Sequence, residues 1–228
     1  MLGTVRGSET AGAVLLAVMS VATMPAMAAD APRGPVRSMV EIRSEGVVVQ
    51  KWDLSCGAAA LATLLNLQHG DPVSEREVAR GLLGRNLYLT DPSKVQQQGG
   101  FSLLDLKRFA NGRGYEGTGY GRLTVRRLSE LAPAIVPVNF NGYNHFVVFR
   151  GVIGKHVLLA DPAFGNRIVS VDRFEQAWLD YPEFGQVGFT VKQRDGAAPP
   201  NQLAPDPADL IFVPDAVLRT ALPFASRP

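Results

Sequence analysis

The stretch from Gln50 to Leu65 reads QKWDLSCGAAALATLL and joins a single cysteine to a run of strong helix formers. Alanine has the highest helix propensity and the leucines from Leu61 onward recur on one face, which predicts a helix from Cys56 to Gln68. Cys56 lies in the first turn, where unpaired backbone N–H groups and the helix dipole stabilise a thiolate. This placement favours a nucleophilic cysteine, and a small apolar residue buried beneath the helix is the alternative.

The composition limits the classes of protein to consider. The chain has 228 residues and one cysteine, which excludes an internal disulfide framework and any multi-cysteine zinc or iron–sulfur centre. The net charge of +2 gives no sign of a nucleic-acid partner or of a polybasic membrane surface. The sequence also lacks the phosphate-binding motif G-x4-G-K-S/T, so we predict no nucleotide and no other cofactor.

The first 28 residues have the pattern of a secretory signal peptide. Arg6 precedes an apolar run from Ala11 to Met24, and Ala26-Met27-Ala28 matches a signal-peptidase site. The run is shorter than the ~20 residues of a membrane span, so we favour a periplasmic or secreted protein over one with a retained anchor. A lone thiol in an oxidising compartment is either deeply buried or kept for its chemistry.

The rest of the chain divides into three segments. A polar lead-in covers residues 29–45, a folded domain covers 46–192, and a Pro-rich extension covers 193–228. Helical patterns come first in the domain and apolar runs with turn signals come second, which predicts an α+β fold with N-terminal helices packed on an antiparallel sheet. The predicted elements are a strand at 47–49, helices at 56–68, 74–83, 102–112 and 124–131, strands at 134–140, 145–150 and 156–160, a helix capped by Asp172, a strand at 186–191 and a long loop at 84–100.

Only three histidines are present to act as a base for the thiol. His69 falls at the predicted exposed end of the Cys56 helix, ~20 Å from the cysteine at 1.5 Å per residue. His145 and His156 both belong to the hairpin predicted between residues 145 and 160. The base is therefore expected on this hairpin.

The register of the hairpin separates these two histidines. A turn centred on Ile153 would put His145 opposite Asp161 at ~5 Å, where the carboxylate could fix the tautomer of the ring. His156 would pair with Arg150 on the other face. A structural ion pair at the sheet edge is the alternative interpretation of His145 and Asp161. The residues predicted to share their face are Val147, Phe149, Val157 and Leu159.

Acyl transfer also needs hydrogen-bond donors for an oxyanion. The backbone N–H of Cys56 is one candidate. Gln50 is the only Gln or Asn between residues 30 and 56, so its side-chain amide is the second. With a cysteine, a histidine and an aspartate already in order, we predict that Gln50 belongs to the site.

Three segments together resemble a known family. They are Gln50-x5-Cys56-Gly57-Ala58-Ala59, then Gly100-Phe101-Ser102-Leu103, and then His145-Phe146-Val147-Val148 with Asp161-Pro162 and Gly165. In this order they look like the bacteriocin-processing, or double-glycine, cysteine peptidases, whose fold is papain-like. The resemblance covers roughly residues 46–182. It implies that Cys56 is the nucleophile, His145 the general base and then acid, Asp161 its orienting partner and Gln50 the oxyanion-hole amide.

The chain departs from the exporter-fused members of that family. It shows no transporter segment, and Ser55 precedes the cysteine where those members usually carry Asp. Its signal peptide directs the domain across the membrane, whereas exporter-fused domains work in the cytoplasm. The chain is more similar to stand-alone exported members, including those of functional-amyloid secretion. The resemblance implies an endopeptidase that cuts a secreted polypeptide after Gly-Gly or other small residues, with an outer-membrane secretion apparatus as a further expected partner.

Two other functions stay open on the same fold. One is a non-hydrolytic peptide-binding accessory protein of a secretion system, although a pure binder has no need of the complete set Gln50, Cys56, His145 and Asp161. The other is acyl transfer to an amine, which would use the same residues. Trp52 and the loop at 84–100 are candidate walls of the substrate cleft.

Overall fold

The computed structural model describes residues 38–84, 100–140 and 142–211, together with Met1 and Gly3. Most of the predicted signal peptide, of the loop at 84–100 and of the far end of the extension lies outside the described residues. Within the described ranges no helix is long and apolar enough to span a membrane. The helices there are α1 (Met39–Ser44), α2 (Cys56–Thr63), α3 (Glu75–Leu83), α4 (Leu103–Gly112), α5 (Val125–Leu131) and α6 (Val171–Ala177).

A six-stranded antiparallel sheet forms the other layer, in the order β1-β8-β2-β3-β4-β5. Strands β6 and β7 form a separate small hairpin. The strands are β1 (Tyr115–Tyr120), β2 (Ala134–Asn139), β3 (Asn144–Ile153), β4 (His156–Asp161), β5 (Gly165–Ser170), β6 (Asp180–Tyr181), β7 (Gly185–Gln186) and β8 (Gly188–Gln193). The predicted α+β fold, with N-terminal helices packed on an antiparallel sheet, is confirmed.

Helix α2 packs directly on β3, and this explains its alanine-rich sequence. All eight of its residues are buried. A Cβ placed on Gly57 would lie 3.4 Å from Phe146 and 3.6 Å from Leu106, which is ordinary van der Waals contact, so the helix and the sheet lie close together at this residue. Small residues let the helix approach the sheet closely, while α3 and α4 cover its other sides. A π-helical turn, Leu64–Gln68, continues the helix over the length that the sequence predicted.

The capping signals are confirmed in part. Ser102 and Asp105 form the predicted reciprocal box at the start of α4, with a distance of 3.2 Å from Asp105 N to Ser102 Oγ. Ser74 caps α3 through the N–H of Glu77 at 3.2 Å. Helix α6 is capped by Ser170, not by the predicted Asp172, because Ser170 is the last extended residue before the helix.

The structure differs from the prediction in several places, which include helix α1 in the predicted lead-in and the small β6–β7 hairpin. Residues 47–49 do not form a strand, because the N–H of Val48 donates to Thr63 Oγ1 at 3.0 Å instead of to another strand. Strands β1 and β5 were missed, since their Gly- and Arg-containing sequences lack a clear apolar alternation. His69 is buried, at 7% exposure, and not at an exposed helix end, because its ring packs on Tyr115 and β8.

The predicted register of the β3–β4 hairpin is wrong. Gly154 and Lys155 form the turn, so His156 lies opposite Ile153 and not opposite Arg150. The register then shifts by one residue at a β-bulge between Phe149 and Gly151. This shift brings the odd-numbered residues of β3 and β4 onto one face again, and the predicted shared face is confirmed. Its members Val147, Phe149, Val157 and Leu159 all belong to one buried cluster.

Candidate active site

A cleft of about 660 Å³ opens between the N-terminus of α2 and the start of β3. Cys56 and His145 both line it, and Asp105 and Arg108 are its charged residues. Among the described residues no cluster of His, Cys, Asp or Glu is suited to a metal ion. The other lining side chains are mostly apolar, including Phe101, Leu103, Leu104, Pro137, Phe146, Leu179, Phe184 and Val187.

Cys56 is the first residue of α2 and is 3% exposed. Ser55 occupies the N-cap position, but its side chain makes no capping hydrogen bond. Ser55 Oγ instead lies 2.6 Å from Trp52 O and 2.5 Å from Glu75 Oε1, two acceptors that share its single hydroxyl proton. Within the described ranges no side chain caps the first turn of α2, so its N–H groups and dipole are left to act on the thiol.

His145 lies at the start of β3, with its ring held by Asp161. The distance from His145 Nε2 to Asp161 Oδ1 is 2.7 Å, and both side chains are buried. Burial of the ring lowers its pKa, but hydrogen bonds and charge interactions with Asp161 and Cys56 outweigh this and raise the pKa of His145 to about 9. Because Asp161 occupies Nε2, Nδ1 is the ring nitrogen that is left to interact with the thiol.

Asp161 is a buried carboxylate with a complete set of donors. Oδ1 accepts from His145 and from the N–H of Ala163 at 2.9 Å, and Oδ2 accepts from Arg167 Nη1 at 2.9 Å. Burial alone would raise the pKa of Asp161, but His145 and Arg167 together lower it. The carboxylate therefore stays ionised and keeps the ring of His145 in one orientation.

Arg167 was not predicted from the sequence. It lies on β5, where Asp161 pairs with Gly165 and Leu159 pairs with Arg167, so the arginine is a diagonal neighbour of Asp161 on the same face. Its guanidinium carbon is 4.5 Å from the ring centre of Phe140. The turn from Asp161 to Gly165 was the available signal, because a tight turn there places residue 167 beside residue 161.

Glu75 is a second residue that the sequence did not reveal. Its carboxylate is buried at the start of α3 and accepts from the N–H of Lys51 at 3.0 Å and from the Ser55 hydroxyl. It therefore ties the segment before the cysteine to α3. Glu75 therefore brings a carboxylate to Ser55, the residue before the cysteine.

The structure does not bring Gln50 into the cleft. Its N–H donates to Pro162 O at 2.8 Å, and its side-chain Nε2 donates to Trp52 O at 3.3 Å. Gln50 Oε1 is buried and has no hydrogen-bond partner among the described residues. Gln50 thus lies beside the Asp161–Pro162 turn, and its assignment to an oxyanion hole stays a prediction.

The other two histidines and Trp52 lie outside the cleft. His69 Nε2 lies 3.1 Å from Val191 O, and burial lowers the pKa of His69. His156 is exposed at the hairpin turn. Trp52 is 42% exposed and packs against Arg76, so it is not the predicted cleft wall. Of the loop at 84–100, Gly100 contributes to the lining.

The peptidase C39 family matches residues 44–182, which is more than half of the chain. The chain therefore belongs to the peptidase C39 family, and the predicted relationship to the double-glycine cysteine peptidases is confirmed. Two relatives bear the name probable functional amyloid protease FapD. The one from Pseudomonas aeruginosa is 41% identical over 144 residues, and the one from Pseudomonas fluorescens is 37% identical over 160 residues.

These matches cover part of each protein. The alignment with the P. aeruginosa protein spans 63% of this chain and 61% of that protein, which is less than two thirds of its length. The alignment with the P. fluorescens protein spans 70% and 68%. The narrower resemblance to proteases of functional-amyloid systems is thereby confirmed as a similarity of sequence.

Solved double-glycine peptidase structures are also similar to the chain. One is a double glycine motif protease from an AMS/PCAT transporter in complex with the leader peptide, with 26% identity, a TM-score of 0.44 and coverage of 64% of this chain and 90% of that one. Another is the peptidase domain of Streptococcus ComA, a bi-functional ABC transporter, with 22% identity, a TM-score of 0.49 and coverage of 65% and 98%.

Proposed function

We propose that this chain is an exported cysteine endopeptidase that cleaves a secreted polypeptide at Cys56. The observation that carries the proposal is the buried 2.7 Å hydrogen bond between His145 and Asp161 in a cleft that Cys56 also lines. A single interpretation explains why a buried histidine is held by a buried carboxylate next to the only thiol of the chain. Membership of the peptidase C39 family supports the same activity.

The reaction begins with Cys56 as the thiolate and His145 as the imidazolium. The sulfur attacks the scissile carbonyl carbon, and the carbonyl oxygen takes the negative charge as the C–S bond forms. The backbone N–H of Cys56 stabilises this oxyanion, and the Gln50 amide would join it after turning from Trp52. His145 then donates its proton to the leaving amine, the C–N bond breaks and a thioester remains on Cys56.

Water completes the cycle through the same residues. His145, now neutral, takes a proton from water, whose oxygen attacks the thioester carbon. The C–S bond breaks, the acid product leaves and the thiolate–imidazolium pair is restored. Asp161 stays ionised throughout, and it orients the ring through Nε2 and stabilises the imidazolium.

The substrate and the location belong to the proposal as well. The signal-peptide pattern of residues 1–28 supports a periplasmic or secreted enzyme. The relatives named functional amyloid protease support a secreted polypeptide of a functional-amyloid or biofilm system as the substrate. Cleavage after small residues and an outer-membrane secretion apparatus as a partner are further parts of the proposal. The mostly apolar lining of the cleft fits a polypeptide segment.

The test compares wild type with Cys56→Ala on the secreted proteins of the source organism. Mass spectrometry of labelled N-termini is expected to find new termini with wild type and at least about 10³-fold less of them with the variant, because the nucleophile is gone. Wild type alkylated with iodoacetamide is the matched control, since it keeps the sequence and loses only the free thiol.

Three outcomes separate the candidate functions. Equal yields of the same termini from Cys56→Ala would contradict the thiol mechanism. A wild type that retains a secreted polypeptide without cutting it would show the peptide-binding accessory instead. Incorporation of an added primary amine, with no new termini, would show acyl transfer.

A further inference from the structure

The start of the predicted C-terminal extension is docked on the domain. Residues 201–209, which we call the strap, lie beyond the residues that the family matches, 44–182. Leu203 is 2% exposed and belongs to the same core cluster as Leu61 of α2 and Val148 of β3. The strap is therefore part of the hydrophobic core that joins the helix of Cys56 to the strand of His145.

The strap contacts the far end of the helix that begins at Cys56. The N–H of Asn201 donates to Gln68 O at 3.0 Å, and the N–H of Gln202 donates to Leu67 O at 2.8 Å. These carbonyls end the π-helical turn that continues α2, where carbonyls lack partners within the helix. The strap supplies those partners.

The strap also encloses Arg150, which is 8% exposed on β3. All five N–H donors of this guanidinium are used. Nη1 and Nη2 bind the carboxylate of Asp209 at 3.1 Å and 2.9 Å. The remaining bonds are from Nε to Leu203 O at 3.1 Å, from Nη2 to Ala204 O at 3.4 Å and from Nη1 to Asn166 Oδ1 at 3.3 Å.

Arg150 is the extra residue of the β-bulge in β3. On the turn side of the bulge Gly151 pairs with Leu158, and on the other side Phe149 pairs with Leu159. Without the extra residue, the register on the turn side, in which Gly151 pairs with Leu158, would continue along β3. His145 would then lie on the face of the sheet opposite to Asp161, because side chains alternate along a strand. The strap lies directly on this bulge, since a Cβ on Gly151 would be 2.5 Å from the ring of Pro205.

We propose that the strap fixes the β3 bulge through Arg150 and Asp209, and that it thereby positions His145 against Asp161 and Cys56. Arg150 and Asp209 are positioning residues for the proposed reaction, because neither lines the cleft. The expected fall in kcat/KM rests on the proposed function, whereas the effect on the position of His145 rests on geometry alone. It also gives the extension a role within the proposed catalytic unit.

The test measures the titration of the His145 ring directly. Asp161, Cys56 and Tyr143 are the titratable groups that face the ring, so its titration reports their arrangement. In wild type the Cε1 resonance of His145 is expected to titrate near pH 9, and His145→Gln assigns it among three histidines. In Asp209→Asn and Asp209→Ala the titration midpoint of His145 is expected to fall by at least about half a pH unit. A weaker hydrogen bond between His145 and Asp161 would no longer offset the lowering of the His145 pKa by burial. kcat/KM should fall about tenfold or more with little change in KM.

Asp71→Ala is the matched control. Asp71 also binds an arginine through both oxygens, with distances of 2.6 Å and 2.8 Å to Arg113, and it lies away from the bulge. This variant is expected to lose stability and to change the titration of His69, which senses the charge of Asp71, while His145 is unchanged. The control thus separates a local effect on His145 from a general loss of stability.

Two results would overturn the role of the strap. One is an unchanged His145 midpoint in both Asp209 variants, and the other is an equal shift in Asp71→Ala. Asp209→Asn keeps the shape of the side chain, so it allows the measurement if Asp209→Ala does not fold. The titration needs no substrate, so a wild type that cleaves nothing would refute the proposed function while the strap is still tested.

Discussion

Replacing His145 with glutamine is expected to lower kcat/KM for peptide cleavage by about 10³- to 10⁴-fold. The imidazolium that protonates the leaving amine and the base that activates water are the same ring, so both steps lose their proton carrier. Glutamine keeps a polar group next to Asp161, which still has Arg167 as an ionic partner. The measurement is steady-state cleavage of a substrate peptide mapped from the secreted proteins.

His156→Gln is the control for this variant. His156 belongs to the same hairpin but is exposed at its turn, opposite Ile153. Its replacement is expected to leave kcat/KM unchanged. A His145→Gln protein that is folded and keeps more than about a tenth of wild-type activity would show that another group moves the proton.

Replacing Arg167 with methionine is expected to reduce the free energy of unfolding by about 3–5 kcal/mol, since it removes one partner of a buried ion pair. Asp161 is fully buried and Arg167 is 5% exposed at the side chain. Methionine fills part of the volume, so the loss comes mainly from the buried carboxylate, which keeps His145 as a partner but loses the guanidinium at Oδ2. Urea unfolding monitored by circular dichroism measures this difference.

The free energy of unfolding that Arg167→Met loses should depend on pH, and it should be smaller in acid. His145 and Arg167 lower the pKa of Asp161 in the folded state, against the effect of burial. The stability that this carboxylate contributes is therefore present above the ordinary aspartate pKa of about 3.9 and is lost as the pH falls through the folded-state value. The gap between wild type and Arg167→Met should shrink in acid.

Arg127→Met is the matched control for the ion pair. Arg127 pairs with Glu130 at 2.6 Å, but both side chains are more than half exposed. Its replacement should change the free energy of unfolding by less than about 1 kcal/mol. If Arg167→Met lowers the free energy of unfolding by no more than Arg127→Met does, Arg167 does not stabilise the buried carboxylate of Asp161.

Local chemistry made much of the fold predictable from the sequence. Ser102 with Asp105 predicts the start of α4, because the two side chains satisfy backbone N–H groups of the first turn wherever that helix packs. The alanine-rich run after Cys56 predicts a helix from propensity alone, whereas the burial of all eight residues of α2 was not predicted. The pairing of His145 with Asp161 was expected, and their side chains do meet.

What the sequence did not reveal depends on contacts between distant segments. At the β3 bulge the guanidinium of Arg150 binds Asp209, 59 residues away, and no local pattern encodes that contact. The predicted register was wrong because Gly154 and Lys155 form the turn, which is therefore not centred on Ile153. The predicted shared face was right because the bulge leaves the pairing beyond it displaced by an even number of residues. The partners of Arg167 and Glu75 likewise come from other elements of the fold.

Alkylation tests, without any substrate, whether Cys56 and His145 form one reactive ion pair. The rate constants for Cys56 with iodoacetate and with iodoacetamide are measured from pH 5 to pH 10, and their ratio is taken at each pH. An imidazolium beside the thiolate attracts the anionic reagent and not the neutral one. The ratio therefore follows the charge of His145, which is present below its pKa of about 9 and lost above it.

The ion pair predicts a high ratio that falls through an inflection near pH 9 in wild type. The inflection should move to lower pH in Asp161→Asn and be absent in His145→Gln. A wild-type ratio that does not change with pH, or an inflection that survives in His145→Gln, would contradict the pairing of Cys56 with His145.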